Sequence, residues 1–283
     1  MHLYRTSKGN IISYNGNVYL NNSEWTSLIN RSGLHDYLSS LISSSQKIDA
    51  AQFREIVSQN TLPPLTQQEV WAAGVTYLRS RDARMEESKD TGGSDCYEKV
   101  YTADRPELFF KAMPHRVSGP GEEVYIRRDS TWNVPEPELA LFINNSGTIQ
   151  AYTVGNDMSS RSIEGENPLY LPQAKMYERS VALGPCLYIP SKPFDRNSSI
   201  TLRIERDNNT AYEGSVKVDK MKRTLEELAK WLFAELKFPY GSFLLTGTGL
   251  VPPDHFTLQH GDVVHITIEN IGTLSNTVKV SPP

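Results

Sequence analysis

The chain has 283 residues, 22% of them charged and 38% hydrophobic, and its formal net charge at pH 7 is −4. This length predicts one large or two smaller domains, and nothing in the charge marks a protein that binds nucleic acid or an anionic membrane. No stretch of about 18 apolar residues is present, so we expect no transmembrane helix. Cys96 and Cys186 have neither pairing nor metal-binding spacing, which favours a reducing cytoplasm.

The first 65 residues are predicted to form a small N-terminal domain. The segment Ile11 to Tyr19 predicts a β-hairpin, because its Asn15-Gly16 pair suits a type I′ turn. A short amphipathic helical pattern follows from Leu34 to Leu41, and Pro63-Pro64 ends the unit. We therefore place a domain boundary near residue 65.

Residues 66–283 are predicted to form the larger domain. Near its start, the polar and charged segment from Arg79 to Asp104, with Gly92-Gly93 inside it, predicts a long loop or a loosely helical lid, and such loops are often functional. Short apolar runs separated by turn residues then predict strands, namely Leu108–Met113, Glu138–Ile143, Ala151–Val154, Ala182–Ile189, Thr201–Arg206, Ser242–Thr246 and Val263–Glu269. Many strands and few helices predict an α+β fold around a folded-over sheet.

One helix interrupts the strands near the C-terminal end. Thr224 and Glu227 have the spacing of a capping box, which predicts that the helix begins after Thr224. Four leucines then recur at helical spacing and predict an apolar stripe that packs on the core, at Leu225, Leu228, Leu232 and Leu236.

Two glutamates, Glu136 and Glu138, precede the unbroken apolar run Leu139 to Ile143, which predicts a buried strand. Residues i and i+2 share one face of a strand, and Pro135 and Pro137 restrict the backbone here, so that the strand start is an edge or is irregular. Carboxylates this close repel each other unless a cation or protons separate them, and hard divalent cations prefer such oxygen ligands. The pattern predicts a metal site, with two solvated carboxylates as the alternative.

Several short motifs follow one another along the chain: Gly74-Val75-Thr76-Tyr77, Arg105-Pro106-Glu107-Leu108-Phe109-Phe110-Lys111, Glu136-Pro137-Glu138-Leu139, Gly155-Asn156-Asp157-Met158-Ser159-Ser160-Arg161, Ala174-Lys175, Leu245-Thr246-Gly247-Thr248-Gly249 and His260-Gly261-Asp262. In this order, over roughly residues 60 to 280, they resemble the fumarylacetoacetate hydrolase superfamily. The resemblance implies a mixed β-sandwich or β-roll core of that family's C-terminal type, with residues 66–283 as the catalytic domain. It also implies Mg²⁺, or else Mn²⁺ or Ca²⁺, held by Glu136, Glu138 and Asp157, and a homodimer or homotetramer.

The chain departs from the hydrolases of this family on the predicted lid. Where they carry a histidine and a glutamate that handle water, it has Ser80 and Ala83, and serine cannot replace an imidazole base. The family's glutamine is replaced by Glu164. The segments Ile163 to Lys175 and Thr246 to Pro252 are similar instead to the 2-keto-3-deoxy-D-arabinonate dehydratase branch.

Resemblance to that branch implies a metal-dependent dehydratase, a hydro-lyase, which acts on a small 2-keto acid such as 2-keto-3-deoxy-D-arabinonate and forms α-ketoglutarate semialdehyde. The metal acts on the 2-keto oxygen as a Lewis acid, a base at C3 gives the enolate, and the C4 hydroxyl leaves. Lys175 is predicted to work at C3 or the enolate, and Glu107 to help the hydroxyl leave. A charge partner and a surface glutamate are the respective alternatives. Ser80, Arg81 and Thr248 are predicted substrate contacts, with an exposed salt bridge as the alternative for Arg81.

Two other functions stay open at this point. One is a C–C bond hydrolase of acylpyruvate or fumarylacetoacetate type, with water activated by Glu107 or by the metal. The other is a non-catalytic metal-binding homologue, against which the intact set of three carboxylates and Lys175 argues. The products separate the two enzymes, because the hydrolase releases pyruvate and the dehydratase releases a semialdehyde.

Overall fold

The computed structural model of the chain describes residues 1–87 and 94–282, without the side chains of Arg84, Glu87, Ser94, Asp95 and Cys96. Gly92 and Gly93 of the predicted lid, and the side chain of Cys96, therefore lie outside the described residues. Cys186 is buried and free. Within the described ranges, none of the helices has the length and apolar character needed to cross a membrane.

Strands make up most of the regular structure of the described residues. They are β1 His2–Thr6, β2 Gly9–Tyr14, β3 Asn17–Asn21, β4 Gln46–Ile48, β5 Glu69–Gly74, β6 Glu107–Ala112, β7 Val117–Ser118, β8 Glu123–Ile126, β9 Asn133–Val134, β10 Pro137–Ile143, β11 Ile149–Asp157, β12 Ser159–Ser160, β13 Val181–Tyr188, β14 Ser199–Arg206, β15 Asn209–Lys217, β16 Ser242–Leu245, β17 Val263–Ile268 and β18 Gly272–Val280. The helices are α1 Trp25–Ile29, α2 Leu34–Leu41, α3 Ala50–Asn60, α4 Leu78–Glu87, α5 Ser94–Thr102, α6 Arg161–Glu166, α7 Leu171–Lys175 and α8 Leu225–Leu232.

Two mixed sheets form the framework. The larger has the order β4-β3-β2-β1-β13-β11-β10-β16-β5-β6, with β7 paired to β13, and the smaller has the order β15-β14-β17-β18-β8. Most pairs are antiparallel, while β16–β5, β13–β7 and β18–β8 are parallel. Apolar residues of both sheets and of α8 join in one core. The arrangement confirms the predicted α+β class with a mixed sheet core.

Strand β10 is buried on both faces, which explains its unbroken apolar sequence. Leu139 and Leu141 pack into the core shared with the smaller sheet, while Ala140 and Phe142 pack into a second core that lies against the N-terminal elements. The predicted buried strand is therefore confirmed. β11 pairs with β10 from Pro137 and β16 pairs with it from Ala140 onward, so β10 is an inner strand and not an edge strand, and its register shift lies between Phe142 and Ile143.

The N-terminal predictions for local structure are confirmed. β2 and β3 form the hairpin, and Asn15 and Gly16 have φ of 49° and 74°, as a type I′ turn requires. Helix α2 has the predicted bounds. β1 pairs with β13, so residues on both sides of position 65 belong to one sheet. The predicted domain boundary near residue 65 concerns which segments fold independently, and it stays a prediction.

The other predicted strands are present with bounds moved by a few residues. In the predicted lid, the described residues form helices α4 and α5 on either side of residues 88–93. The capping box of Thr224 and Glu227 is confirmed at the start of α8. The prediction that Leu236 continues the apolar stripe is wrong, because α8 ends at Leu232 and Leu236 is 43% exposed.

This difference between two leucines of one predicted stripe gives a stability prediction. Leu228 is fully buried in the core, so Leu228→Ala should lower the free energy of unfolding by about 2–5 kcal/mol. Leu236→Ala is the matched control and should change it by less than about 0.5 kcal/mol. Urea denaturation of both variants measures the two values, and equal losses would contradict the placement of Leu236.

Candidate metal and catalytic site

A cavity opens where β5 and β11 end and β10 begins. Strand, helix and loop residues from six parts of the chain form its wall, namely Ala73, Gly74, Val75, Ser80, Phe109, Glu136, Glu138, Asp157, Arg161, Lys175, Gly247 and Thr248. The wall thus contains three carboxylates, two cations and two hydroxyls, and most of these groups are buried.

The three predicted metal ligands meet in this cavity. The antiparallel register of β10 and β11 sets Pro137 opposite Asn156, and the backbone N–H of Asp157 donates to the carbonyl of Glu136 at 2.9 Å. One carboxylate oxygen each of Glu136, Glu138 and Asp157 lies within 4.8 Å of the other two. This spacing allows all three to reach a single cation.

Glu138 shows most directly that the cluster suits a cation. Its side chain is buried, and among the described residues its hydrogen bond is to the Gly247 N–H at 2.5 Å. Burial raises the pKa of Glu138 well above its ordinary value, and the charges of Asp157 and Glu136 raise it further. A divalent cation between the carboxylates would lower the pKa of Glu138 again, since it favours the charged forms of all three groups. The donor set is all oxygen, which fits magnesium.

Lys175 lies against two of the carboxylates at the end of α7. Its Nζ is 2.6 Å from Glu136 Oε2 and 3.3 Å from Asp157 Oδ2, and it donates to Ser159 Oγ at 2.5 Å. The ammonium lies 5.8 Å from the centre of the Phe109 ring, within cation–π range. A side chain held on three sides is available to act at one defined position of the cavity.

A second buried lysine lies behind the metal ligands. Lys111 Nζ is 2.5 Å from Asp157 Oδ1, in an ion pair rather than a directed hydrogen bond. Burial lowers the pKa of Lys111 to about 8, although the Asp157 carboxylate opposes the shift. The two lysines thus contact different oxygens of one carboxylate.

Arg161 closes the other side of the cluster from the start of α6. Its Nη2 donates to Glu136 Oε1 at 2.7 Å, so Glu136 has one oxygen on Arg161 and the other on Lys175. The buried Glu164 lies one turn further along α6, with Oε2 3.9 Å from Arg161 Nε. Arginine and lysine together fix the plane of the Glu136 carboxylate.

The backbone around the cavity is held in an unusual shape. Val75 has φ of 53°, which β-branched residues rarely adopt and which costs on the order of 1–3 kcal/mol. The next residue, Thr76, donates its hydroxyl to the Thr246 carbonyl at 2.7 Å. Gly247 has φ of 91°, and a Cβ there would lie 2.1 Å from Thr76 Oγ1. A glycine is therefore required to point this N–H at Glu138.

The remaining predicted site residues lie at different distances from the cluster. Ser80 and Thr248 line the cavity. Glu107 is not itself part of the described cavity wall; it begins β6 opposite Gly74, which is, and a methyl group on Gly74 would fall 1.9 Å from Glu107 Oε2. Arg81 is not part of the described cavity wall, and its guanidinium contacts Asp82 at 2.6 Å, which is the salt bridge named as the alternative; contact with a substrate stays a prediction.

Sequence reasoning assigned no role to three residues that hold this site together. Two of the family motifs contain these residues: Lys111 ends the segment that begins at Arg105, and Ser159 and Arg161 follow Asp157. A lysine at the end of an apolar strand was the available signal for Lys111, since lysine is almost never fully buried unless it is paired. Which acceptors it meets depends on segments far away in the sequence.

Comparison with known proteins agrees with this geometry. Residues 70–279 match the family described as fumarylacetoacetate (FAA) hydrolase C-terminal. A probable 2-keto-3-deoxyxylonate dehydratase of Haloferax volcanii is 49% identical over 223 residues, which are 78% of this chain and 76% of that protein. A 2-dehydro-3-deoxy-D-arabinonate dehydratase of Saccharolobus solfataricus is 44% identical over 218 residues, 76% and 73% of the two chains.

Solved structures extend the likeness to the whole chain. A 2-keto-3-deoxy-D-arabinonate dehydratase complexed with magnesium and 2,5-dioxopentanoate is 34% identical, with a TM-score of 0.86 and full coverage of both chains. Its fold therefore includes counterparts of both the N-terminal elements and the cavity-bearing sheet. The predicted fold type is confirmed.

Proposed function

Because the chain belongs to the fumarylacetoacetate hydrolase family, we propose that it is a magnesium-dependent dehydratase of a 2-keto-3-deoxy sugar acid. The observation that carries the proposal is one buried cavity in which three carboxylates meet Lys175, while the positions of the hydrolase base pair hold Ser80 and Ala83. The magnesium and 2,5-dioxopentanoate in a similar solved structure support it.

The three carboxylates hold the cofactor in this proposal. Glu136, Glu138 and Asp157 would be the ligands, and magnesium bound there would supply Lewis acidity to the carbonyl of the substrate. Arg161 keeps the Glu136 carboxylate in place through its 2.7 Å contact, and the Gly247 N–H does the same for Glu138. Carboxylates that are oriented before the substrate arrives need no reorganisation during the reaction.

Lys175 handles the proton on C3. Its amine form accepts a proton from carbon, and Nζ is held for this step 2.6 Å from Glu136 Oε2. Ser159 Oγ holds Nζ from one side and directs it toward the cavity. The C3–H bond breaks, and its electron pair forms the C2–C3 double bond of the enolate; when the C4–O bond breaks, the 2-keto group re-forms and the double bond moves to C3–C4.

Glu107 serves the leaving group in this scheme. The C4–O bond breaks as Glu107 donates a proton to that oxygen, which departs as water. Tautomerisation of the remaining 5-hydroxyl compound gives 2,5-dioxopentanoate, the α-ketoglutarate semialdehyde. Ser80 and Thr248 line the cavity and are proposed contacts for the oxygens of the substrate; in the structure the Ser80 hydroxyl donates to the Tyr77 carbonyl at 2.8 Å and the Thr248 hydroxyl to the Leu250 carbonyl at 3.1 Å. The position of Arg81 over the Tyr101 ring of α5, 5.2 Å away, supports a role in holding α4 against α5, beside the proposed contact with the substrate.

Product analysis tests the reaction class. Purified protein with Mg²⁺ should convert a 2-keto-3-deoxypentonate to 2,5-dioxopentanoate, detected by mass and by a coupled aldehyde dehydrogenase, and should leave acylpyruvates intact. The hydrolase reaction needs a base that activates water, and neither Ser80 nor Ala83 supplies one. The double variant Ser80→His with Ala83→Glu should therefore not raise dehydration. Rapid release of pyruvate from an acylpyruvate by the unmodified protein would favour the hydrolase.

The role of Glu107 gives a second test. Glu107→Gln keeps the shape of the side chain but cannot donate the same proton, so kcat should fall about 10²–10⁴-fold while magnesium binding is unchanged. Gly74→Ala should lower kcat as well, because the new methyl group collides with the Glu107 carboxyl. Adding Gly74→Ala to Glu107→Gln should cost little more, which a double-mutant cycle measures. A kcat for Glu107→Gln within threefold of wild type would remove Glu107 from the mechanism.

Two properties of the whole protein complete the proposal. We place it in the cytoplasm, on the absence of cysteine pairing in its sequence, and fractionation of the native cells tests the location. We also propose that the protein is a homodimer or homotetramer. In each subunit, residues 1–65 would form a separate folding unit beside the catalytic domain of residues 66–283. Light scattering gives the mass of the assembly, and expression of residues 66–283 alone tests the unit.

A further inference from the structure

Lys111 is surrounded by three oxygen atoms that belong to the catalytic cluster. Its fully buried Nζ lies 2.5 Å from Asp157 Oδ1, 3.0 Å from the carbonyl of Met158 and 2.5 Å from the carbonyl of Lys175. Two of the three N–H donors of the ammonium thus go to main-chain carbonyls, and its charge pairs with the Asp157 carboxylate. None of the roles described above for proton transfer or metal ligation uses this side chain.

The backbone of β6 is shaped to bring Lys111 to this position. In the pairing with β5, Phe110 lies opposite Trp71 and Ala112 lies opposite Val70, so Lys111 is the extra residue of a β-bulge. Bulges beside active sites re-aim a side chain that would otherwise follow the strand's alternation. The strand also carries Glu107 at its first residue and Phe109 under the Lys175 ammonium, so one strand serves three parts of the site.

The three contacts connect two segments that must keep a fixed distance. Asp157 ends β11 and Lys175 ends α7, and Lys111 contacts the carboxylate of the first and the main chain of the second. With Oδ1 on Lys111, the other oxygen of Asp157 turns toward the cavity, where Lys175 Nζ lies 3.3 Å away. Losing Lys111 would free the carboxylate to rotate and would leave two buried carbonyls without this donor.

We propose that Lys111 is a positioning residue, which orients Asp157 for the metal and holds the Lys175 segment against it. The inference rests on the proposed function, because it assigns a purpose to Lys111 in that same site. Burying an ammonium is costly unless it is well paired. Lys111 is paired with Asp157, a proposed metal ligand, and with the main-chain carbonyl of Lys175, the proposed proton-transfer residue.

Magnesium titration tests the inference without any substrate. Lys111→Met keeps the apolar length of the side chain and removes the ammonium. Partners of metal ligands typically contribute 10–100-fold to metal affinity, so the variant should bind Mg²⁺ at least about 10-fold more weakly by isothermal titration calorimetry, with full stoichiometry. At saturating Mg²⁺ its kcat should also fall. Lys279→Met is the matched control, since Lys279 pairs with Glu123 3.9 Å away near the surface, and it should bind Mg²⁺ as wild type does.

A role in folding alone has a different outcome. It would lower the stoichiometry or the melting temperature of Lys111→Met and leave the Mg²⁺ dissociation constant unchanged, which overturns the proposal. If Lys111→Met does not fold, the same Mg²⁺ titration is carried out on Lys111→Arg. Its planar guanidinium keeps the charge but cannot present donors to the same three oxygens, so weaker Mg²⁺ binding supports the proposal and wild-type binding overturns it. Failure of the unmodified protein to dehydrate any sugar acid would reject the proposed function but would not affect this titration.

Discussion

Replacing Lys175 by methionine should lower kcat by about 10²–10⁴-fold, the usual contribution of a positioned acid or base. The KM for the sugar acid should change little, because the interaction matters mainly in the transition state. Magnesium binding should be as tight as in wild type or tighter. The reason is that Lys175→Met takes away a cation 2.6 Å from Glu136 and 3.3 Å from Asp157, while Arg161 and Lys111 still orient these two carboxylates. Loss of Lys111 differs, because it leaves the Asp157 carboxylate free to rotate. Steady-state kinetics and calorimetric titration measure these quantities.

Controls separate chemistry from charge balance in this experiment. Lys220→Met removes an exposed lysine that contacts Asp219 at 3.8 Å, and it should leave both kcat and magnesium binding unchanged. Ser159→Ala removes the hydroxyl that holds Lys175 Nζ at 2.5 Å, and it should lower kcat by a smaller factor than Lys175→Met. Near-normal turnover by Lys175→Met would mean that the lysine is only a charge partner of the carboxylates.

Glu138→Gln should abolish magnesium binding and stabilise the metal-free protein. The variant removes one of three ligands, and a Lewis acid worth several kcal/mol to the transition state corresponds to at least about 10³-fold in kcat. The same change removes a buried carboxyl whose charge is disfavoured by burial and by Asp157 and Glu136. Glutamine keeps the acceptor for the Gly247 N–H, so the hydrogen bond at 2.5 Å is retained.

The stability gain should depend on pH in a defined direction. The folded-state pKa of Glu138 lies above its unfolded value, so the folded state binds the proton more tightly. Its contribution to stability is fully present below the unfolded pKa of about 4.3 and is lost as pH rises through the folded pKa. In EDTA, the melting temperature of wild type should therefore fall relative to Glu138→Gln over this range, and added Mg²⁺ should raise that of wild type alone.

An exposed glutamate provides the control for this result. Glu122 accepts a hydrogen bond from the Gly119 N–H at 2.8 Å, as Glu138 does from Gly247, but it lies outside the cavity. Glu122→Gln should change neither magnesium binding nor the pH dependence of melting. Magnesium binding by Glu138→Gln at wild-type affinity, or a melting temperature in EDTA below that of wild type at neutral pH, would contradict the assignment of Glu138.

Some of the site was predictable because it depends on local geometry. Glu136 and Glu138 share a face of a strand start for any β-conformation, so their meeting follows from the spacing alone. The hairpin at Asn15-Gly16 and the cap at Thr224 follow in the same way from local backbone and side-chain chemistry. Local spacing did not predict where α8 ends, because Leu236 continues the helical spacing four residues beyond the last residue of the helix, Leu232.

The amino-acid sequence by itself determined the α+β class, the paired glutamates, the helix and hairpin signals and, through its motifs, the family. Only the tertiary structure decided that Lys111 contacts Asp157 and that Arg161 holds Glu136. The physical reason is that local preferences follow from a few neighbouring residues, whereas a buried charge takes its partner from whichever segment the strand register brings near. That register is the result of packing over the entire sheet, and no short stretch of sequence contains it.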